Sequence, residues 1–480
     1  MKNLTEWYKF ESGQIDLDSI NFFSHQGLDR KTVHQILSIQ NDDVSKHVKS
    51  NVDKIRDDNT YVVITGQQLG LLGGPLYTIY KILNTVQLAT ELSERYPDKQ
   101  FIPIFWLESE DADFDEVSTL DYLDNDQQIK QFKYTDSGRL AVGIRQFNDS
   151  INGLNRLFKI DTPFKSGETW YHAFYQYFKP VFDELGIVTF RSNDDRIRDQ
   201  LRPYWDIVLA NHARIKTAVR NKTAKLEKDG FNPQFIYRDD DSFIFSHSAD
   251  GRNKITQIEE IRSDMKLSPN AILRPLMQDY IFPTISYIGG PGEIAYHQQI
   301  TDAYAVFNRQ QPLIYPRTHV RIINSKTRRL LGRYGLSELV SHDELDGFRQ
   351  NAFQSEEIDS LNERFRQFKD NLHHFHKQLE ALNTADERSK MQVIGGSEKR
   401  LTDRLDQFEN RLTGLLKRKE SDLASHLLYL EQILFPNGKP QERVYPVIQF
   451  HQNLLAFSKI FLEQVDILNL DWQILNIDKE

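Results

Sequence analysis

Five short apolar runs constrain this chain more than any other feature: "YVVIT" at 61–65, "FIPIFW" at 101–106, "GIVTF" at 186–190, "TISYI" at 284–288 and "PLIY" at 312–315. Each has strand length, and stretches with helical spacing separate them. Behind the first run, for example, Ile79, Ile82, Val86 and Ala89 fall on one helical face. Such β/α alternation predicts a mainly parallel sheet covered by helices. The 39% hydrophobic and 11% aromatic content of 480 residues is ample for its core.

The runs are followed in order by "GQQLGLLGGP", "LESEDADFDE", "RSNDDR", "GGPGE" and "PRTHVR". Strands of a parallel sheet end on one shared edge, where ligand crevices form, so these loops predict a site there. In the first loop, Gly66, Gly70, Gly73 and Gly74 would let backbone N–H groups approach a ligand, with Gln67, Gln68, Tyr77 and Lys81 as binding side chains. No Gly-Lys-Ser/Thr and no GxGxxG is present, so the nucleotide signal is generic, and Gln68 could equally pack the loop on itself. In the fourth loop Gly289, Gly290 and Gly292 offer bare N–H groups at a helix start. Glu293 there either caps the helix or faces a substrate ammonium or hydroxyl, with Tyr296 one turn on. Arg274 and Gln278 in "RPLMQDY" and Arg317 after the last run supply partners for carboxylate or phosphate. Behind Trp106, six carboxylates lie between Glu108 and Glu116. They repel one another unless some hold Mg²⁺, an ammonium or backbone donors, and Glu110, Asp111 and Asp113 are the catalytic candidates nearest the strand end.

Sixty Lys and Arg against 69 Asp and Glu give a net charge of −9, which argues against a nucleic-acid surface. No cysteine is present, so a thiolate metal site or cysteine nucleophile cannot operate. The N-terminus lacks an apolar signal core and no run of about 18 apolar residues occurs, so a cytoplasmic protein without a membrane segment is expected.

From about 355 to 435 the pattern changes. Leu361, Phe365, Phe368, Leu372, Phe375 and Leu379 repeat at spacings of four and three, and so do Leu401, Leu405, Phe408, Leu412 and Leu415. This heptad seam predicts two antiparallel helices of roughly 40–55 Å each, with a turn near Gly395 and Gly396. His373, His374 and His376 point to different faces of such a helix, so no metal site is assigned to them. The expected organisation is a core over 1–335, interrupted by a hairpin or small meander at about 231–262, then a coiled-coil arm over 336–435. A segment over 436–480 returns to the core.

Three blocks, "VITGQQLGLLGGPLYTIYKI", "IPIFWLESEDADFDEV" and "RPLMQDYIFPTISYIGGPGEIAYHQQ", resemble the BshC family of cysteine ligases in bacillithiol biosynthesis. Together with the helical hairpin the resemblance spans most of the chain. It implies a Rossmann-like core with inserted connecting lobes, a coiled-coil arm that dimerises the protein, and addition of cysteine to glucosaminyl-malate to give bacillithiol. On that reading the two glycine loops frame the pocket, Arg274 and Arg317 hold carboxylates, and Glu293 with the acids at 110–113 orients the amine, the sugar or a metal. Ala112 stands where the family's acidic stretch carries a histidine, and no HxGH follows the first run. Acid–base chemistry at 112 therefore does not carry over, while ATP and Mg²⁺ stay as candidate co-substrates. Two other classes fit the residues alone: a nucleotide-regulated scaffold or binding subunit working through its arm, and a sugar-nucleotide transferase.

Overall fold

All five apolar runs become strands of one sheet in the computed structural model, which describes residues 15–110, 114–136, 140–238, 241–248, 251–352, 356–381 and 387–477. They are β1 (Thr60–Gln68), β2 (Gln100–Glu108), β3 (Val188–Arg191), β4 (Thr284–Gly289) and β5 (Leu313–Pro316), in the spatial order β5-β4-β1-β2-β3. Every pairing is parallel. The chain moves outward from β1 through β2 to β3, then returns to lay β4 on the other side of β1. The order therefore reverses between β1 and β4, at the place where open α/β sheets open a crevice.

Strand β1 is continuously apolar because it is covered on both faces. Val62 and Ile64 enter one core with Ile102, Ile104 and Trp106, whereas Tyr61 and Val63 enter the other with Leu88, Leu92 and Ile288. That split follows the two-residue period of a strand. Helix α1 (Tyr77–Arg95) crosses from β1 to β2 and is buried well beyond the predicted single face, with Tyr80, Lys81, Leu83 and Asn84 also enclosed. Helices α2 (Leu273–Ile281) and α3 (Pro291–Gln299) flank β4.

Three further sheets surround this core. Ile244–Ser248 pairs antiparallel with both Gly251–Lys254 and Lys266–Pro269, so the hairpin gains a third strand beyond residue 262 and its first strand in sequence is the central one. Thr119–Leu123 and Ile129–Lys133 form an antiparallel pair, and His319–Ile323 runs parallel to Trp472–Asn476. Neither of these last two pairs is expected from the sequence pattern.

The chain divides into two compact units: 1–124 with 129–325 and 439–480, and 125–128 with 326–438. In the second, α4 (Glu356–Glu380) and α5 (Glu387–Leu434) lie antiparallel, with the Phe365 and Phe408 rings 5.6 Å apart and Lys369 joined to Asp406 at 2.7 Å. The first helix ends at Glu380 and the second begins at Glu387, so the expected turn at Gly395 and Gly396 does not occur and α5 passes straight through them. The helices are consequently unequal, about 38 Å and 72 Å at 1.5 Å per residue. Each helical glycine costs about 1 kcal/mol relative to alanine. Packing of the helix beside them, where Ile394 is buried, outweighs that cost. Among the described residues no helix is long and apolar enough to cross a membrane.

Candidate active site

The reversal between β1 and β4 holds a cleft of about 360 Å³. Its floor is an ion pair. Lys81, buried in α1 at 1% side-chain exposure, donates to Glu293 at 2.8 Å, to the Gly66 carbonyl at 2.5 Å and to Gln67 Oε1 at 3.1 Å. With three N–H donors on the ammonium, Lys81 is fully engaged. It ties the end of β1 to the start of α3. Glu293 also accepts from the Gly290 N–H at 2.8 Å and from the Tyr287 hydroxyl at 2.5 Å. The sequence left Glu293 either capping α3 or facing a ligand; it caps the helix and lines the cleft at once.

Charge and burial oppose each other here. Burial acts to raise the Glu293 carboxyl, but the Lys81 charge and the Gly290 amide outweigh it and hold it below the usual carboxylate range. Burial lowers Lys81, and Glu293 only partly restores it. Burial also raises the Tyr77 phenol to about 12, helped by Glu116. Tyr77 therefore enters the cleft as a neutral hydroxyl at neutral pH.

Two arginines close the sides. Arg274 bonds Glu108 at 3.1 Å and donates to the Tyr296 hydroxyl at 2.8 Å. Arg317 bonds Glu442 at 2.7 Å and the Thr318 carbonyl at 2.9 Å. Burial would raise Glu442, but Arg317 and His319 bring it down to about 2. Both arginines are thus held rigidly by carboxylates of the protein while still lining the cleft. Arg443 is exposed, lines the same space and makes no ion pair among the described residues. Four cations (Lys81, Arg274, Arg317, Arg443) and two carboxylates (Glu116, Glu293) line the cleft. Lys81, Arg274 and Arg317 are already paired with Glu293, Glu108 and Glu442, so an anionic ligand finds its cation in Arg443, which has no ion pair among the described residues.

Of the predicted residues, Gly66, Gln67, Gln68, Tyr77, Lys81, Arg274, Gly290, Gly292, Glu293, Tyr296 and Arg317 line this cleft. Gly70, Gly73 and Gly74, expected to approach a ligand, do not line it. Gly73 and Gly74 have φ values of +85° and +73°, and a Cβ on Gly73 would sit 2.7 Å from Phe178 Cζ. They serve the turn and its packing, with Trp170 Nε1 donating to the Leu69 carbonyl beneath them. Gly289 ends β4, and its carbonyl accepts from the Arg317 N–H at 2.9 Å; it lines neither this cleft nor the adjoining cavity. Gln278 is likewise displaced, being 3% exposed in a helix buried on nearly every side. Trp106 and Glu110 line the adjoining cavity, Glu110 paired with Arg198 at 2.5 Å. Asp111 and Asp113 lie outside the described residues. Among the described residues no cluster of three or more His, Asp or Glu groups could hold a metal.

Sequence reasoning missed Gln234, Glu442 and Arg443. The last two were legible only as a charged pair in "PQERVYP", enclosed by prolines in an apolar segment.

A five-stranded parallel sheet with a crevice at its reversal defines a Rossmann-like protein. The model "Bacillithiol biosynthesis BshC, N-terminal Rossmann-like domain" matches residues 2–263 and 258–318, and "Bacillithiol biosynthesis BshC, C-terminal coiled-coil domain" matches 320–477. The chain belongs to the BshC family. A relative from Bacillus cytotoxicus is 25% identical over 464 residues, spanning 88% of this chain and 85% of the relative. One from Salinibacter ruber is 27% identical over 468 residues, spanning 88% and 84%. Both carry the name "Putative cysteine ligase BshC". The likeness to a solved tryptophanyl-tRNA synthetase of Plasmodium falciparum, at a TM-score of 0.23 and 8% identity over 92% of this chain and 99% of that one, is too weak to bear on fold or function.

Proposed function

We propose that this chain joins the carboxyl group of L-cysteine to the amine of glucosaminyl-malate, forming the amide of bacillithiol as the last step of its biosynthesis, in the cytoplasm. The single observation that carries the reading is the cleft at the β1/β4 reversal, where four cations and two carboxylates line one space beside a rigid Lys81–Glu293 floor. The malate carboxylates suit Arg317 and Arg443, and Glu293 suits the hydroxyls or amine of the sugar.

Amide formation needs an activated acyl group, a neutral amine and donors for the developing oxyanion. One carboxylate oxygen would displace pyrophosphate from the α-phosphorus of ATP, giving an acyl adenylate, or ADP from its γ-phosphorus, giving an acyl phosphate. The amine nitrogen then adds to the acyl carbon, the activating group leaves with that oxygen, and a proton leaves nitrogen. Arg274 and the neutral Tyr77 hydroxyl are the donors available to the oxyanion. The test is reconstitution: purified protein with glucosaminyl-malate, cysteine, ATP and Mg²⁺, followed by mass spectrometry. Bacillithiol with AMP supports an adenylate and bacillithiol with ADP an acyl phosphate. Folded protein that binds neither substrate sinks the proposal.

We assign the helical arm to homodimerisation. Phe368, Phe375, Val393, Phe408 and Leu415 are each more than half exposed on α4 and α5, a density of exposed hydrocarbon that monomers seldom carry.

A further inference from the structure

A second cavity, of about 300 Å³, adjoins the cleft and shares Ala271 and Arg274 with it. It opens beyond the ends of β2 and β3, against the small three-stranded sheet that supplies Phe245, Arg252, Lys254 and Pro269. Its volume lies at the bottom of the range for small-molecule sites.

Two of its wall residues hold buried polar atoms without a partner. Trp106 and Ser192 are 1% and 3% exposed, and among the described residues neither the indole Nε1 nor the Ser192 Oγ has a hydrogen-bond partner. Such orphans cost about 1–3 kcal/mol each, so both atoms favour a polar occupant. The charge of the wall differs from that of the cleft. Glu108, Glu110 and Asp241 are matched by Arg252, Lys254 and Arg274, three against three. Ion pairs at 3.1 Å (Arg274–Glu108) and 3.0 Å (Lys254–Asp241) hold these groups in place. A polyphosphate entering this space would meet three carboxylates at close range. A ligand carrying one positive and one negative end meets complementary charge at both.

We propose that this cavity is the subsite for a small zwitterionic α-amino acid, its carboxylate toward Arg274 and its ammonium toward Glu110 and Asp241. That orientation brings the acyl carbon to the wall shared with the anion-favouring cleft, where the amine of a second substrate would meet it. The inference deepens the ligase reading and rests on it for the identity of the amino acid as cysteine.

The test measures binding of L-cysteine and of L-serine, its unreactive near-isostere, to the full chain by saturation-transfer NMR and calorimetry, without nucleotide or sugar. Propionate and ethylamine, each lacking one charge, serve as controls. Both amino acids are expected to bind, the controls at least 10-fold more weakly. Ser192→Ala and Lys254→Ala are expected to weaken amino-acid binding by 5-fold or more and to raise KM for cysteine while leaving KM for glucosaminyl-malate unchanged. Trp106→Phe should act in the same direction, and the two smaller changes keep the test valid if that variant misfolds. Binding unaltered in all three variants overturns the subsite, as does failure of the folded wild-type protein to bind either amino acid. Amino-acid binding that responds to these variants without any ligation product would uphold the subsite and contradict the ligase reading. Ligation with an unchanged KM for cysteine in the variants would do the reverse.

Discussion

The core and the helical arm place their unlikely groups oppositely. The core encloses charge: Lys81, Arg317 and Glu442 are 1%, 4% and 1% exposed by side chain. The arm leaves hydrocarbon in water, with Val393 at 68% and Leu415 at 59%. Buried ions are costly unless their partners are fixed, so a connected set of them beside a cleft marks a preorganised surface for a ligand. Exposed hydrocarbon in rows marks a surface that another protein covers. On the proposed reading two kinds of work are separated along one chain, small-molecule chemistry in the α/β unit and association in the helices.

Breaking the core's floor should have the largest effect. Lys81→Met leaves Glu293 without its cation, which costs stability toward the lower end of about 3–5 kcal/mol because Glu293 retains 22% exposure. It should lower turnover by roughly 100-fold or more, about 2.7 kcal/mol in the barrier. Adding Glu293→Leu should restore part of the melting temperature, because the Gly290 N–H and the Tyr287 hydroxyl lose their acceptor, and none of the activity. Recovery of both would reduce the pair to a structural role.

Acid should next loosen the Arg317–Glu442 side of the cleft. The Glu442 carboxyl is depressed from 4.5 to about 2, so its contribution is complete above pH 4.5 and is lost as pH falls toward 2. By pH 3 the loss from this group should reach about 2 kcal/mol. Urea midpoints at pH 5.5 and pH 3 should therefore fall further apart in the wild type than in Glu442→Gln; equal slopes would detach the pair from acid stability.

A smaller change probes the glycine loop. Gly73→Ala forces a side chain into positive φ and against Phe178, and should destabilise by about 1–3 kcal/mol while substrate KM stays constant. A rise in KM with unchanged stability would return the loop to the ligand. Least disturbing to the folded protomer should be Phe368→Glu with Leu415→Glu, both more than half exposed. Sedimentation should then report monomer with an unchanged thermal transition, whereas a wild-type monomer would remove the arm's assigned role.

How much could be read from the sequence follows the same division. The five strands were legible because continuously apolar runs of strand length between helical stretches have few other uses, and their C-terminal loops located the crevice. The partners within it were not. Lys81 and Glu293 are 212 residues apart and Arg317 and Glu442 are 125, and no local pattern specifies which distant carboxylate a cation meets. Gly73 read as a ligand contact because a glycine needed for positive φ and one needed for close approach look alike in sequence. Gly395 and Gly396 read as a turn because local propensity favours one there, but the seam carried α5 through them.

The central claim is that the cleft around the Lys81–Glu293 pair receives the sugar substrate. Calorimetric titration of glucosaminyl-malate into wild-type protein and into Glu293→Gln, with folding of both verified by near-ultraviolet circular dichroism, tests it most directly. The account predicts binding to the wild type and at least 10-fold weaker binding to the variant, about 1.4 kcal/mol. Equal affinity and equal turnover in the two proteins would contradict it.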